Sequence, residues 1–391
     1  MTIQRYLTKP IFNDLQQKMV FVGGPRQVGK TTLAKKLVAQ FYKQTTYFNW
    51  DNRQDRKDII NSQWPGNAQL IILDEIHKYK NWKSFIKGEF DKHREKFHFL
   101  VTGSARLDIY RKGGDSLQGR YHYYRLYPFS LAELCGKTTN IQIFDELPIG
   151  PTNYYDLLLQ LDTFGGFPEP CISQNHKTLR RWHNEKIERL FREDILDIER
   201  IVDISNMKLL SDILPERVGS PLSLNSLRED IGVSHKAISR WLSILESFYY
   251  CFRIYPYTKS KIRSIKKEPK LYLIDWSEIE DEAARFENMI ATHLLKFAHF
   301  MYDSEGYKCE LWYLRNVDKK EVDFLLTVNS KPWIAVETKL SDTSVSNNLI
   351  YYKERINIPY CYQVVKKPGV DIITPSNIRI ISADKFLASL M

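Results

Sequence analysis

The segment with the most specific chemistry is a glycine-bounded loop between a predicted strand and a predicted helix. Residues 24–31 have the sequence Gly-Pro-Arg-Gln-Val-Gly-Lys-Thr, which satisfies the spacing G-x-x-x-x-G-K-[ST]. Backbone N–H groups of such a loop can surround a phosphate chain, and its lysine can reach the β- and γ-phosphates. We therefore predict a nucleotide site formed by Gly24, Pro25, Arg26, Gln27, Val28, Gly29, Lys30, Thr31 and Thr32.

Acidic and hydroxyl side chains at the ends of other predicted strands could complete this site. A buried apolar strand ends in Asp74 and Glu75. We expect Asp74 and the Thr31 hydroxyl to hold Mg²⁺, and Glu75 to orient and deprotonate an attacking water. The alternative is that both acids merely follow a strand. Thr102 or Ser104, at the end of another strand, could lie between the acids and the γ-phosphate.

An arginine could stabilise the charge on the transferred phosphoryl group, either in its own subunit or across a subunit interface. Arg120, which follows a glycine, is the first candidate for this catalytic role. Arg106, Arg111 and Arg125 are its competitors. For each of these four side chains, a surface salt bridge is the alternative.

A predicted hairpin near the end of the chain gathers a second set of charged side chains. Both of its strands alternate apolar and polar residues, so each strand has one apolar face. Pairing the apolar faces sets Phe324 opposite Val336. In the same register Asp323 lies opposite Glu337, because a one-residue slip would bury the charges. Asp323, Glu337 and Lys339 are therefore predicted to share the polar face.

The hairpin has a predicted turn and a predicted chemistry. Its strands are expected at 321–328 and 333–339, joined by an odd loop, most simply from Val328 to Pro332. Two carboxylates can bind Mg²⁺ or Mn²⁺, and a lysine can position or activate a metal-bound water. A charged pair on a solvated sheet face is the alternative.

The order of apolar segments predicts the elements that carry these residues. Continuous apolar strands at 19–23, 46–50, 69–74 and 97–103 alternate with helical segments, which predicts a parallel sheet covered on both faces. Residues 153–218 are predicted to be mainly helical. A basic stretch at 258–270 is predicted to be an exposed connector, and a mixed α/β unit follows it.

Residues 222–250 have the pattern of a helix-turn-helix. The first helix is predicted at Leu224–Ile231, the turn at Gly232, and the second helix over 236–248 with Ser234 as its cap. Helical periodicity places four side chains in the core, namely Ile238, Trp241, Leu242 and Leu245. It leaves a polar outer face formed by His235, Lys236, Ser239, Arg240 and Ser243. This face would contact DNA, or alternatively the helix pair only packs against neighbouring domains.

Composition narrows the class of protein. The 391 residues are 43% hydrophobic and 27% charged, which is typical of a folded protein of two to three domains. A net charge of +10 favours a polyanionic partner. The five cysteines are scattered without a C-x-x-C pair and are expected to be buried. Short apolar runs and the lack of a signal-peptide pattern predict a cytoplasmic protein without a membrane partner.

The order of the motifs resembles the prokaryotic AAA-type ATPases that carry a C-terminal DUF4143 domain. The matching segments are 24–32, 73–76, 102–104, Gly119-Arg120, 165–169 and 269–275, in that order. The resemblance implies an α/β fold with a P-loop AAA-type parallel sheet core, a helical lid, a winged helix and a C-terminal PD-(D/E)xK nuclease-like α/β domain. It also implies a homo-oligomeric ring in which an arginine reaches the nucleotide of a neighbouring subunit.

The resemblance sets domain borders and adds a metal ligand. The borders are 1–140 for the ATPase core, 141–217 for the lid, 218–257 for the winged helix and 258–391 for the nuclease-like domain. Nucleases of this fold carry a metal-binding glutamate on a helix, and Glu287 borders the apolar stripe of a helix predicted over 283–299. The resemblance thus implies a metal site of Glu287, Asp323 and Glu337. Val322 replaces the proline in the name of the signature.

These features together predict a Mg²⁺-dependent ATPase coupled to DNA binding and to metal-dependent DNA cleavage. In the cleavage reaction, Asp323, Glu337 and Lys339 are the predicted catalytic residues, with Mg²⁺ or Mn²⁺ as the cofactor. The alternative is an ATP-gated module that binds or remodels DNA or protein and whose nuclease-like domain does not cut.

Overall fold

The computed structural model describes residues 3–104, 107, 117–137, 141–195, 203–258, 264–265 and 267–391. It contains an N-terminal unit, Met1–Pro128, and a C-terminal unit, Phe129–Met391. Each unit is described by itself.

Five parallel strands form the sheet of the N-terminal unit, as the alternation of strands and helices predicts. In chain order they are β1 (Met19–Gly23), β2 (Thr45–Asn49), β3 (Leu70–Asp74), β4 (His98–Thr102) and β5 (Tyr121–Arg125). Their spatial order is β2-β3-β4-β1-β5. The described α-helices are α1 (Thr8–Leu15), α2 (Lys30–Thr32, continued by π-helical Leu33–Val38 and 3₁₀-helical Ala39–Phe41), α3 (Arg53–Ile60) and α4 (Trp82–His93), and a 3₁₀ helix covers Ile76–Lys78.

The strand register brings the predicted nucleotide residues to one edge of this sheet. β1 and β3 are buried along their whole length, because helices cover both faces of the sheet. Val22 of β1 and Asp74 of β3 both pair with Thr102 of β4. Since all these strands are parallel, their carboxyl ends meet, and the loop after Gly23 begins beside Asp74 and Thr102.

The C-terminal unit combines a helical region with a mixed sheet of eight strands. The strands are β6 (Cys251–Pro256), β7 (Lys270–Leu273), β8 (Cys309–Arg315), β9 (Glu321–Val328), β10 (Lys331–Lys339), β11 (Tyr360–Val365), β12 (Asp371–Ile373) and β13 (Arg379–Ser382). Their spatial order is β12-β13-β11-β10-β9-β8-β6-β7. The described α-helices are α5 (Leu131–Leu134), α6 (Tyr155–Phe164), α7 (Pro168–Ser173), α8 (His176–Arg189), α9 (Ile204–Ile213), α10 (Leu224–Ile231), α11 (His235–Ser247), α12 (Glu282–Asp303), α13 (Asn347–Ile356) and α14 (Ala383–Ala388).

The helix-turn-helix forms as predicted and joins directly to this sheet. α10 ends at Gly232, which has a φ of 77°, and the Ser234 side chain caps α11 by accepting from the Ala237 N–H. The four predicted core side chains of α11 are buried. β6 then pairs with β7 and also with β8, so the predicted border between 257 and 258 lies inside a hairpin.

Part of the predicted basic connector is buried, namely Ser264, Pro269 and Lys270. Lys270 is the first residue of β7 and is only 1% exposed, so the prediction of an exposed connector through position 270 is wrong there. The physical reason is that the ammonium group is surrounded by carboxylates, which stabilise a buried positive charge.

The carboxylate–lysine hairpin has the predicted register but a different turn. Val336 pairs with Phe324, as the apolar faces predict. The predicted loop from Val328 to Pro332 is wrong, because Lys331 already pairs with Val328. Asn329 and Ser330 form a two-residue turn with φ values of 49° and 66°. A register shift between Pro332 and Ile334 restores the pairing of the apolar faces.

A buried ionic network fastens the helical region to the end of β7. Asp275 is 2% exposed and accepts from the side chains of Lys186 and Trp182, each at 2.9 Å. Gly165 packs against this carboxylate, since a Cβ there would lie 2.7 Å from an Asp275 oxygen. Two of the motifs that carry the family resemblance, around Gly165 and Asp275, thus meet in a structural network.

The cysteines agree largely with what composition predicts. Four of the five cysteines are buried, whereas Cys135 is partly exposed. None of the helices in the described ranges is both long and apolar enough to cross a bilayer.

Candidate functional site

The backbone of the phosphate-binding loop requires glycine at both ends. Gly24 has a φ of 137°, and a Cβ there would lie 2.3 Å from the carbonyl oxygen of Leu126. Gly29 has a φ of 98° immediately before α2. Other residues rarely adopt such conformations, so the two glycines allow the tight turn that leads from β1 to the helix N-terminus. The predicted loop geometry is therefore present.

Buried cationic side chains brace this loop from inside. Lys30 is 8% exposed, and its Nζ donates to the carbonyl oxygens of Gly24 at 3.0 Å and Pro25 at 2.7 Å. Arg5, which precedes α1, donates to the Val28 carbonyl at 2.8 Å. Arg5 was not predicted, because a lone arginine far from the loop in sequence belongs to no motif.

Asp74 is tied by hydroxyl groups to the residues that should surround a metal ion. Its Oδ2 accepts from the Thr31 hydroxyl at 2.9 Å and from the Tyr47 hydroxyl at 2.8 Å, and its Oδ1 accepts from Thr102 at 2.6 Å. The carboxylate and the Thr31 hydroxyl are hard oxygen ligands, so they fit Mg²⁺. Tyr47 was not predicted. Burial, followed by the charge of Asp74, raises the pKa of Tyr47 well above its usual value.

Glu75 follows Asp74 in an unusual backbone conformation. Its φ of 57° lies in the left-handed region, and its N–H donates to the Thr102 carbonyl at 2.9 Å. Left-handed backbone in a residue other than glycine is unfavourable by roughly 1 kcal/mol and is enriched at functional sites. Its carboxylate lies 3.6 Å from Lys78 Nζ. Burial raises the pKa of Glu75, which makes it a better proton acceptor.

The two hydroxyl candidates have different surroundings. Thr102 bonds to Asp74, whereas the Ser104 hydroxyl is buried and has no hydrogen-bond partner in the described part of the chain. A buried hydroxyl without a partner is free to bond to a bound group. The catalytic role of Ser104 therefore stays a prediction.

Arg120 lies at the opposite edge of the sheet from the loop of its own subunit. Its carbonyl accepts from the N–H of Met19 at the start of β1, so roughly 13 Å of strand separates it from Gly23. Its guanidinium forms two bonds with Asp91, at 2.8 and 3.0 Å. This position does not fit a catalytic role in its own subunit, and the pair with Asp91 is the surface salt bridge that was the alternative. A role across a subunit interface stays a prediction.

The competing arginines can be placed only in part. Arg125 pairs with Gly23 in the β1–β5 register, so it lies at the loop edge of the sheet. Arg106 and Arg111 lie outside the described residues.

The second candidate site is a group of acids in the C-terminal unit. Glu287 of α12 and Glu321 and Asp323 of β9 lie around Lys270, and we call these three acids the carboxylate cluster. The Lys270 Nζ is 2.7 Å from a Glu321 oxygen, 3.3 Å from Glu287 and 3.6 Å from Asp323. Burial alone would lower the pKa of Lys270, but the three carboxylates raise it above its ordinary value.

Glu337 and Lys339 of β10 lie beside this cluster. Lys339 donates to Glu337 Oε1 at 2.9 Å, and the other Glu337 oxygen is buried without a hydrogen-bond partner in the described part of the chain. Burial, followed by the negative charge of Asp323, raises the pKa values of both Glu337 and Glu287 to about 7.

The predicted metal ligands are therefore near one another, but the arrangement does not fit a metal ion. Within the described ranges, no three or more His, Cys, Asp or Glu side chains are grouped so that they could hold one. The positive charge among the acids is instead supplied by Lys270. This lysine lies in a segment that carries the family resemblance, but nothing in the sequence marks its side chain as buried.

Known proteins resemble the chain in three consecutive segments. Residues 16–135 match the model of an AAA domain family, residues 155–277 match a domain of unknown function, DUF8612, and residues 283–381 match another, DUF4143. The first of these segments contains the phosphate-binding loop and the acids Asp74 and Glu75.

Relatives along nearly the whole chain carry no assigned activity. An uncharacterized protein of Methanocaldococcus jannaschii is 23% identical over 89% of this chain and 82% of its own length. An uncharacterized protein of Mycobacterium tuberculosis is 22% identical over 95% and 83%.

Solved structures resemble the chain at a low level. A Walker-type ATPase of Pyrococcus abyssi is 12% identical, with a TM-score of 0.40 over 68% of this chain and 92% of that one. The RuvB Holliday junction branch migration motor of Thermotoga maritima is 17% identical, with a TM-score of 0.31 over 63% and 87%.

Proposed function

We propose that this chain, which carries an AAA-type P-loop domain followed by two domains of unknown function, hydrolyses ATP with Mg²⁺. The observation that carries the proposal is the bonding of Asp74 to both Thr31 and Thr102 beside the Lys30 loop. A structural role of Asp74 alone would not explain why the same edge also holds a glycine-bounded loop and a second acid with a raised pKa, Glu75.

The residues of the site have separable tasks. Backbone N–H groups of the loop and of the start of α2 bind the phosphates, and Lys30 exchanges its loop carbonyls for phosphate oxygens. Thr31 and Asp74 would hold Mg²⁺, which supplies Lewis-acid stabilisation of the phosphate charge. Glu75 orients a water molecule and accepts its proton, since its raised pKa keeps it basic enough while the carboxylate remains available.

Phosphate release by four variants tests this assignment. We expect Lys30→Ala and Glu75→Gln each to lower turnover by about 10²–10⁴-fold. Glu75→Gln should still bind ATP within about threefold of the wild-type affinity, because Thr31 and Asp74 are intact. Lys36→Ala and Glu95→Gln change exposed side chains of the same types in the same unit and serve as matched controls.

Two results would contradict the assignment. Normal turnover in Lys30→Ala would exclude the loop as the hydrolytic site. Loss of ATP affinity in Glu75→Gln would make this residue a binding residue rather than the base.

DNA is the partner that we propose for the helix-turn-helix. Along α11, His235, Lys236 and Arg240 are exposed while the opposite face is buried, which is the arrangement that a groove-binding helix requires. The net charge of +10 supports a polyanionic partner.

Duplex binding measured by fluorescence anisotropy at several salt concentrations tests this proposal. We expect Lys236→Ala with Arg240→Ala to weaken binding. The slope of log K against log salt should become shallower by about one for each phosphate that the variant no longer binds. Lys177→Ala with Arg180→Ala removes the same charge from exposed positions of α8 and is the control. Equal weakening in both pairs would indicate unspecific attraction and contradict a specific role of α11.

For the C-terminal domain we propose a binding or remodelling role rather than DNA cleavage. What supports this choice over a metal-dependent nuclease is the ion pairing of Lys270 with Glu321, Glu287 and Asp323. Plasmid and single-stranded DNA, incubated with Mg²⁺ or Mn²⁺, test the choice. We expect no cleavage that differs between wild type, Asp323→Ala and Lys339→Ala. Cleavage by wild type that is lost in both variants would establish the nuclease instead.

A further inference from the structure

The carboxylate cluster is arranged around a lysine as a metal site is arranged around its ion. Lys270 carries three N–H donors on its ammonium group. The structure offers it three carboxylates within 3.6 Å, from two elements that are distant in sequence. Its ammonium also lies 5.8 Å from the centre of the Tyr313 ring. Almost the whole side chain is removed from water.

The remaining oxygens of the cluster are engaged by other donors of the protein. Asp323 Oδ2 accepts from the N–H and the hydroxyl of Thr338, at 2.9 and 2.8 Å. Glu287 differs, because the Tyr272 hydroxyl donates at 2.7 Å to Oε1, the same oxygen that Lys270 contacts. Glu321 accepts from Arg315 at 2.7 Å. A divalent ion at this position would have to displace the ammonium and reorganise these bonds.

The chain itself covers part of the cluster. The segment that leads into α10 runs beside β7, where the Leu222 N–H donates to the Pro269 carbonyl at 2.7 Å and Pro221 bridges to Lys270. Gly219 has a φ of 77°, and a Cβ there would lie 3.3 Å from the Glu287 carboxylate. The close packing at Gly219 restricts access to Glu287 from this side.

We infer that Lys270 is an internal counter-ion that takes the place of a metal ion, and that removing its charge lets the acids of the carboxylate cluster rearrange into a divalent-cation site. Without the ammonium, three acids would be left within a few ångströms, and among the described residues Arg315 and the nearby Lys339 would offset them in part. Like charges at such distances in a partly buried site are strongly unfavourable. A divalent cation with oxygen ligands relieves that repulsion.

Direct Mn²⁺ binding without nucleotide, measured on the full chain by electron paramagnetic resonance, tests the inference. Lys270→Met keeps the approximate length of the side chain and removes its charge. We expect this variant to gain one Mn²⁺ site, which disappears when Asp323→Asn is added. Its melting temperature should rise by several degrees in about 1 mM Mn²⁺, because a ligand that binds only the folded state stabilises it.

Lys366→Met is the matched control. Lys366 is another buried lysine, and it pairs with two carboxylates rather than three, Asp162 at 2.7 Å and Glu282 at 2.6 Å. We expect Lys366→Met to be destabilised without gaining a Mn²⁺ site. The same gain in both variants would overturn a special role of the three-acid cluster.

Mn²⁺ binding by the wild type tests the inference even if Lys270→Met does not fold. We expect wild type and Asp323→Asn to bind Mn²⁺ equally in the absence of nucleotide. A wild-type Mn²⁺ site that is lost in Asp323→Asn would overturn the inference, as would a folded Lys270→Met that binds no Mn²⁺. The inference rests on the proposed non-cutting role, and the two assays test the inference and the role separately. A wild-type Mn²⁺ site lost in Asp323→Asn, in a protein that does not cleave DNA, refutes only the role of Lys270 as counter-ion. Cleavage by wild type that is lost in Asp323→Ala refutes the proposed non-cutting role.

Discussion

The nucleotide site and the carboxylate cluster use the same residue types in opposite ways. In the N-terminal unit Asp74 accepts from three neutral hydroxyl groups, those of Thr31, Tyr47 and Thr102. In the C-terminal unit, Glu321 and Asp323 lie against the ammonium of Lys270. Hydroxyl groups rotate and exchange partners, whereas a buried ammonium cannot leave three carboxylates without a large electrostatic penalty.

This difference separates a site prepared for a ligand from one that is already neutralised. A carboxylate that is held by hydroxyl groups can turn toward an incoming Mg²⁺ when those groups change partners. A carboxylate paired with a fixed cation instead uses its charge to stabilise the fold. Both regions place a pair of acids at one end of a strand, and the buried lysine beside Glu321 and Asp323 decides which outcome follows there.

The largest effect should come from removing one acid of each region and comparing activity. We expect Asp74→Asn to reduce ATP turnover by about 10²–10³-fold, because the amide is a much poorer Mg²⁺ ligand. Asp323→Asn should leave turnover within about twofold. Steady-state phosphate release at saturating ATP and several Mg²⁺ concentrations measures both. A comparable reduction in the two variants would break the distinction between the regions and would indicate that the cluster is coupled to hydrolysis.

The second effect concerns the free energy of unfolding and is expected at Asp323 of the carboxylate cluster. Asp323→Ala leaves Lys270 with one acid fewer and the Thr338 N–H without its acceptor, so we expect the free energy of unfolding to fall by about 2–3 kcal/mol. Urea denaturation measures this change. Glu354→Ala, at an exposed acid of the same unit, should change stability by less than about 0.5 kcal/mol. A decrease at Asp323 no larger than at Glu354 would show that the cluster contributes nothing to folding.

A third, smaller effect concerns pH. The pKa of Glu337 is raised to about 7, above its usual value of about 4.3, by burial and by Asp323. The folded chain therefore binds this proton more tightly than the unfolded chain. Stability should fall, by roughly 2 kcal/mol, as pH rises from about 5 to about 8.

Glu337→Gln tests the origin of this pH dependence. The variant should lose much of the slope in urea midpoints between about pH 5 and about pH 8. Glu287→Gln should remove a similar part, because the pKa of Glu287 is also raised to about 7. An unchanged profile in both variants would contradict the raised pKa values.

The nucleotide site could be predicted from the sequence because its signals are local. The loop spacing and the two acids, Asp74 at the end of β3 and Glu75 after it, each lie in a short segment. Parallel strands bring their carboxyl ends together by necessity, so these segments meet. The register of the β9–β10 hairpin was predictable for a similar reason, since alternation of period two allows one parity only.

The cluster could not be predicted in the same way because its contacts are not local. Lys270 lies next to acids that follow it by 17, 51 and 53 positions, and no periodicity links them. Arg5 and Tyr47 reach the nucleotide site from separate elements for the same reason. The turn differs from the predicted one because the pairing register shifts by one residue between Pro332 and Ile334. The shift leaves the apolar face in place, so the alternation of residues does not reveal it.

The smallest effect is expected at Arg120. Arg120 lies at the sheet edge away from its own loop and is bound to Asp91, so we expect Arg120→Ala and Asp91→Ala each to leave turnover within about twofold. Phosphate release over a range of protein concentrations measures both variants, since an arginine acting across an interface matters only in the assembled state. A tenfold decrease in Arg120→Ala, rescued by mixing with Glu75→Gln subunits and absent in Asp91→Ala, would contradict this expectation. It would place Arg120 at the nucleotide of a neighbouring subunit, as the predicted ring requires.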